Sequence, residues 1–115
     1  MSTEAMDERE FDKVADVALR ALMDALSELD DVEADLQLGV LGVEFSDGTK
    51  YVINSHRAAR QIWMAAEKTA WHFDFKPESR SWVAQKNGDE LFSTVEAVLG
   101  RKLGRAVAIP RPKQS

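Results

Sequence analysis

Residues 54–66 read Asn-Ser-His-Arg-Ala-Ala-Arg-Gln-Ile-Trp-Met-Ala-Ala, and the last six of them decide the fold. As a strand, the run sets Ile62, Met64 and Ala66 on one face and Gln61, Trp63 and Ala65 on the other, because successive side chains alternate. One face is apolar and the other places a large indole beside an amide.

The same period of two continues on both sides. Downstream, residues 69–75 put Trp71, Phe73 and Phe75 on one face and His72 and Asp74 on the other, and Ser81-Trp82-Val83-Ala84 makes a short strand after a Lys76-Pro77-Glu78-Ser79 turn. Upstream, Leu41, Val43 and Phe45 alternate with Gly42 and Glu44. The turn Ser46-Asp47-Gly48-Thr49 follows, then Lys50-Tyr51-Val52-Ile53-Asn54, the pattern of a hairpin. The resulting sheet has an inner face of Leu41, Val43, Phe45, Tyr51, Ile53, Ile62, Met64, Trp71, Phe73 and Trp82. Its outer face carries Glu44, Lys50, Asn54, Gln61, Trp63, His72 and Asp74.

Beyond the strands the period becomes helical. Phe11, Val14, Ala15, Ala18, Leu22, Ala25, Leu26 and Leu29 recur at three- and four-residue steps, predicting a helix from Met6 to Leu29. Leu91, Phe92, Val95, Val98 and Leu99 do the same up to Gly100, after an Asn87-Gly88-Asp89 turn and cap. Residues 30–35, four of them acidic, read as a connector. Strands flanked by helices without strand-helix-strand alternation predict an α+β two-layer sandwich, with two helices packed on one face of an antiparallel sheet of five to six strands. The expected domain runs from residue 1 to 110, with a loose basic tail over 111–115.

Composition narrows the chemistry. With no cysteine, thiol catalysis, thiolate metal ligands and disulfides are excluded. No apolar run approaches the roughly 20 residues of a membrane span, and the acidic amino terminus is the wrong charge for import. The expectation is a cytoplasmic bacterial protein, or a mature form without its presequence. The net charge of −5 hides a split: residues 1–48 carry 14 acids against 3 bases, residues 49–115 carry 6 against 12. An acidic front half suits a cation or a basic protein and repels nucleic acid, although it also serves simply to keep a helix face solvated. Asp24, Glu28 and Asp30 stand at the end of the first helix, where the dipole disfavours negative charge.

Asn54, the Gln61-Ile62-Trp63 triplet, His72-Phe73-Asp74 and Trp82, behind an acidic amphipathic helix and the hairpin over 39–54, resemble the signature region of the frataxin family, bacterial type, from about Phe11 to Leu99. Two loops depart from it: Arg57-Ala58-Ala59 stands where the family commonly has a proline, and Glu67-Lys68-Thr69-Ala70 where it has a glycine-rich turn. The resemblance implies an acidic ridge that binds iron weakly as Fe2+ or Fe3+, and an outer sheet face that docks onto the iron-sulfur assembly machinery, the cysteine desulfurase and the scaffold protein. Carried over, the ridge falls on Asp24, Glu28, Asp30, Asp31, Glu33 and Asp35, and the partner-binding face on Asn54, His56, Gln61, Trp63 and His72. A histidine present in some bacterial relatives is Asp12 here, so the ridge is all carboxylate.

Carboxylates alone are hard ligands with little discrimination among Mg²⁺, Ca²⁺, Mn²⁺ and iron, and a hydrated surface set binds at about micromolar strength or weaker. Neither histidine has a Glu three residues before it, as a di-iron bundle needs, and no Ser-His-Asp set or phosphate loop is present. The expected role is therefore not catalytic, although iron oxidation would need nothing beyond the same carboxylates. Two readings follow for a monomer: an iron-binding regulator or iron donor in cluster assembly, or a metal-independent adaptor whose acids steer partners. An outward Trp63 flanked by amides suits either as an interface anchor, the rival being a register that turns the ring inward.

Overall fold

The computed structural model describes residues 6–112. Its elements follow in the order α1 (Glu8–Ser27), β1 (Val32–Gln37), β2 (Val40–Phe45), β3 (Lys50–His56), β4 (Gln61–Ala66), β5 (Thr69–Lys76), β6 (Ser81–Ala84) and α2 (Leu91–Leu103). Every strand pairs antiparallel with its chain neighbour, so the six lie in sequence order across one sheet.

The acidic stretch expected as a connector becomes strand from Val32 onward. Its acids mask an alternation: Val32, Ala34 and Leu36 pair with Phe45, Val43 and Leu41 on the inner face, while Glu33, Asp35 and Gln37 point away. Carboxylates disfavour strand interiors only where they meet the core, and here they do not.

Helix α1 opens on Asp7, whose carboxylate accepts the Glu10 amide N–H at 2.8 Å. The cap of α2 is Glu90 rather than the Asn87-Gly88-Asp89 turn. Its carboxylate accepts the Phe92 and Ser93 amides at 2.9 and 3.0 Å. This helix also runs through Gly100 to Leu103 and stops at Gly104, where φ is +71° and the amide bonds back to the Gly100 carbonyl.

Both helices bury their apolar stripes against the inner face in one core. Phe11, Leu22, Leu26, Leu41, Ile62, Phe73, Leu91 and Val95 are wholly enclosed, each contributing about 1.5–3 kcal/mol of burial. Phe11 meets Trp82 edge-on at 5.9 Å. Trp71 faces inward as expected but is only partly covered, its indole N–H donating to Asp89 at 3.3 Å. The expected loose tail begins with an ordered contact: Arg111 stacks over Phe92 and pairs with Glu96 at 2.9 Å, because the apolar Ile109 ahead of it is buried. Residues 113–115 of that tail lie outside the described residues. Among the described residues no helix is long and apolar enough to cross a membrane.

Candidate functional site

Register fixes which outward side chains meet. Asn54 pairs with Trp63, and Trp63 with His72, so the three form a row across β3, β4 and β5; His56, Gln61 and Asp74 form the next row. Ile62 and Met64 are buried, which leaves Trp63 no alternative but the outer face.

Its ring lies between two imidazoles. His56 stacks on it at 3.8 Å with 14° between planes, and His72 at 4.3 Å with 18°. The indole N–H donates to Gln61 Oε1 at 2.7 Å, and Gln61 Nε2 donates on to Asp74 Oδ1 at 3.0 Å. The Trp63 side chain is thus held by rings on both faces and by an amide at its edge. A ring held this way loses little freedom when a partner covers it. Asn54 is not part of this relay: its amide donates to the neighbouring Ser55 carbonyl at 3.2 Å. Among the described residues, His56 Nδ1 is buried and finds no hydrogen-bond partner.

The acidic residues occupy a different region. Asp24 lies on the last turns of α1, Glu28 is its C-cap, Asp30 and Asp31 form the turn, and Glu33 and Asp35 project from the outer face of β1. All six are exposed. No cation stands in the last turn of α1 to meet its dipole. Among the described residues Asp31 alone of the six makes an ion pair, with Arg105 at 2.7 Å. Also among the described residues, no three Asp, Glu or His side chains converge as a ligand set. Such a surface fits a hydrated cation held loosely, and it does not fit a tightly caged one.

The end of α2 supplies cations to the neighbouring loops. Lys102 bonds Asp47 at 2.6 Å and the Thr49 hydroxyl at 3.1 Å, and Arg101 bonds Glu67 at 2.8 Å. The Lys102 ammonium, helped by the Thr49 amide, holds the Asp47 carboxyl well below the usual carboxylate range. The two loops that depart from the family pattern close without proline or glycine. Arg60 takes φ +55° and returns its amide to the Arg57 carbonyl, and Glu67 and Lys68 take φ +55° and +65°.

The outer face of Asn54, Gln61, Trp63, His72 and Asp74 was legible in the sequence, whereas the three-ring stack was not. The spacing carries the signal: His56 lies two residues beyond Asn54, and the register that pairs Asn54 with Trp63 brings it diagonally over the same indole.

The frataxin-like domain family matches residues 4–105. The iron-sulfur cluster assembly protein CyaY of Dechloromonas aromatica is 34% identical over 107 residues, covering 90% of this chain and 99% of its own. The solved frataxin from Psychromonas ingrahamii superposes with a TM-score of 0.84 at 25% identity, over 92% of this chain and 100% of that one. Trimeric Saccharomyces cerevisiae frataxin, solved in complex with ferrous iron, shares the fold with a TM-score of 0.64 at 24% identity, over 90% and 92% of the two chains.

Proposed function

The chain belongs to the frataxin-like domain family, and on that premise we propose that it acts in iron-sulfur cluster assembly as a non-catalytic regulator of the desulfurase–scaffold complex. Its acidic ridge meets a basic patch on the cysteine desulfurase and takes up iron weakly, as cargo to be donated. Its Trp63 face docks the scaffold. The site of action is the bacterial cytoplasm, and the chain acts as a monomer.

The observation that supports this reading best is the pair of unlike surfaces on one small fold. One is a run of exposed carboxylates, five of the six without an ion-pair partner among the described residues. The other is an aromatic side chain held by His56, His72 and Gln61. The first attracts cations and basic proteins at long range, and the second has the composition of an interface anchor. Curated relatives are named for iron-sulfur cluster assembly, and a fold relative was solved with ferrous iron.

The lack of a converged ligand set among the described residues favours a second reading, in which the ridge serves docking alone and metal uptake is incidental. A backbone NMR titration separates the two. Loss of amide signals along residues 24–35 with Fe²⁺ and with the desulfurase, sparing Trp63, supports the shared ridge. Indiscriminate broadening by iron, with the desulfurase shifting only the Trp63 face, removes the iron role and leaves the adaptor.

A further inference from the structure

The turn joining β1 to β2 consists of two residues, Leu38 and Gly39, with φ of +52° and +78°. A two-residue turn with both φ values positive is the type that favours Asn-Gly or Gly-Gly, because an L side chain at the first position crowds its own backbone. Leu38 occupies that position and is 100% exposed, where the next most exposed large apolar residue among the described residues is Val17 at 50%. Other non-glycine residues of the described chain at positive φ are Arg60, Glu67, Lys68 and Arg80, all charged side chains that water solvates well. Leu38 therefore combines an unfavourable backbone with an unfavourable side-chain environment. Neither serves the core.

The backbone of the turn is also tied to β3 at Gly39. The Ser55 amide of β3 donates to the Gly39 carbonyl at 2.9 Å, and a Cβ on Gly39 would stand 2.5 Å from the Ser55 hydroxyl, so the turn is pressed against β3. Beside it opens a hollow of about 450 Å³ with Met23 and Leu36 in its lining and carboxylates from Asp16 and Asp24. Asp16 is shared with Arg20, whereas Asp24 belongs to the ridge.

We infer that Leu38 is the apolar anchor of the acidic docking surface, inserting into an apolar socket rimmed by Lys or Arg on the partner protein. A leucine carried on a turn that is hydrogen-bonded to β3 has only its own side-chain rotamers to order on entering a socket. A neighbouring lysine or arginine of the partner lays its aliphatic stem along Met23 and Leu36 and its charge beside Asp24. Charge complementarity selects a basic partner over a two-fold pairing of this face with itself, since residues 1–48 carry 14 acids against 3 bases and would repel their own copy. The inference rests on the proposed use of the ridge for desulfurase docking.

Leu38→Asn tests it, because asparagine suits this turn and removes the apolar anchor without touching the core. Purified cysteine desulfurase is titrated by calorimetry at two salt concentrations against the wild type, Leu38→Asn, Leu38→Met and a double Asp24→Asn, Glu28→Gln variant. The expected result for Leu38→Asn is a Kd raised by roughly tenfold or more, with unchanged salt dependence and a Tm equal to or above wild type. Leu38→Met stays within about threefold of wild type, since a comparable apolar side chain remains. Undiminished binding by Leu38→Asn, with the acid variant weakened, overturns the anchor and leaves the ridge standing. Weakening by Leu38→Asn alone keeps the anchor and removes the electrostatic reading. If neither variant weakens binding, both fall. A lowered Tm in Leu38→Asn, or a wild-type dimer abolished by it in sedimentation, also overturns the inference.

Discussion

Arg105 Nη2 lies 2.7 Å from Asp31 Oδ1, so the segment following α2 carries a cation into the acidic ridge. Both partners are nearly half exposed, and such a pair is worth about 0–1 kcal/mol. On the proposed use of the ridge for cations, the pair matters more for binding than for stability, because it occupies one of the six carboxylates. Arg105→Gln is expected to shift Tm by only a few degrees and to tighten Mn²⁺ binding severalfold, measured by calorimetry. An unchanged affinity would exclude Asp31 as a ligand.

The remaining ridge carboxylates repel one another at neutral pH, so screening or neutralising them stabilises the fold. Tm is expected to rise with sodium chloride and to rise further with millimolar divalent cations. Scanning calorimetry of the wild type against the Asp24→Asn, Glu28→Gln double variant measures both effects. Equal responses in the two proteins would mean that the ridge is too dispersed to act as a unit.

Gln61 satisfies the Trp63 N–H and is itself held by Asp74. Gln61→Ala leaves the half-buried indole N–H without that acceptor, a loss of about 1 kcal/mol. It is expected to broaden and red-shift Trp63 emission and to weaken scaffold binding more than it lowers Tm. Scaffold affinity unaffected by the substitution would remove the relay from the docking face.

Asp47, although exposed, has its carboxyl depressed first by the Lys102 hydrogen bond and then by Thr49, which gives it a modest, solvent-screened share in acid stability. A carboxyl with a lower pKa folded than unfolded stabilises the fold above its unfolded value, about pH 3.9, and loses that contribution as pH falls through the folded value. Glu96 acts in the same direction: burial raises it, but Arg111 and the Ile109 amide together outweigh burial and lower it. Tm is expected to hold from pH 7 to about 5 and to fall below about 4. Asp47→Asn should flatten that fall; an unaltered slope would assign it to other carboxylates.

Both helices, the central strands and the inner and outer faces of those strands could be read from the chain alone, whereas the acidic ridge came from the resemblance. The faces depend on local periodicity, and the alternation around Ile62, Trp63 and Met64 is strong enough that one register buries the core. The first strand was less legible, because Glu33 and Asp35 obscured the alternation of Val32, Ala34 and Leu36. Contacts between residues distant in sequence required the folded chain. Arg105 meets Asp31 across 74 positions, and Lys102 meets Asp47 across 55. His56, Trp63 and His72 stack only because three strands align in one register. Leu38 carried no signal in the sequence, and only the folded turn gives it a positive φ and full exposure. Periodicity is a property of neighbouring residues along the chain, whereas ion pairs, ring stacks and exposure belong to surfaces that exist only after the sheet and helices have packed.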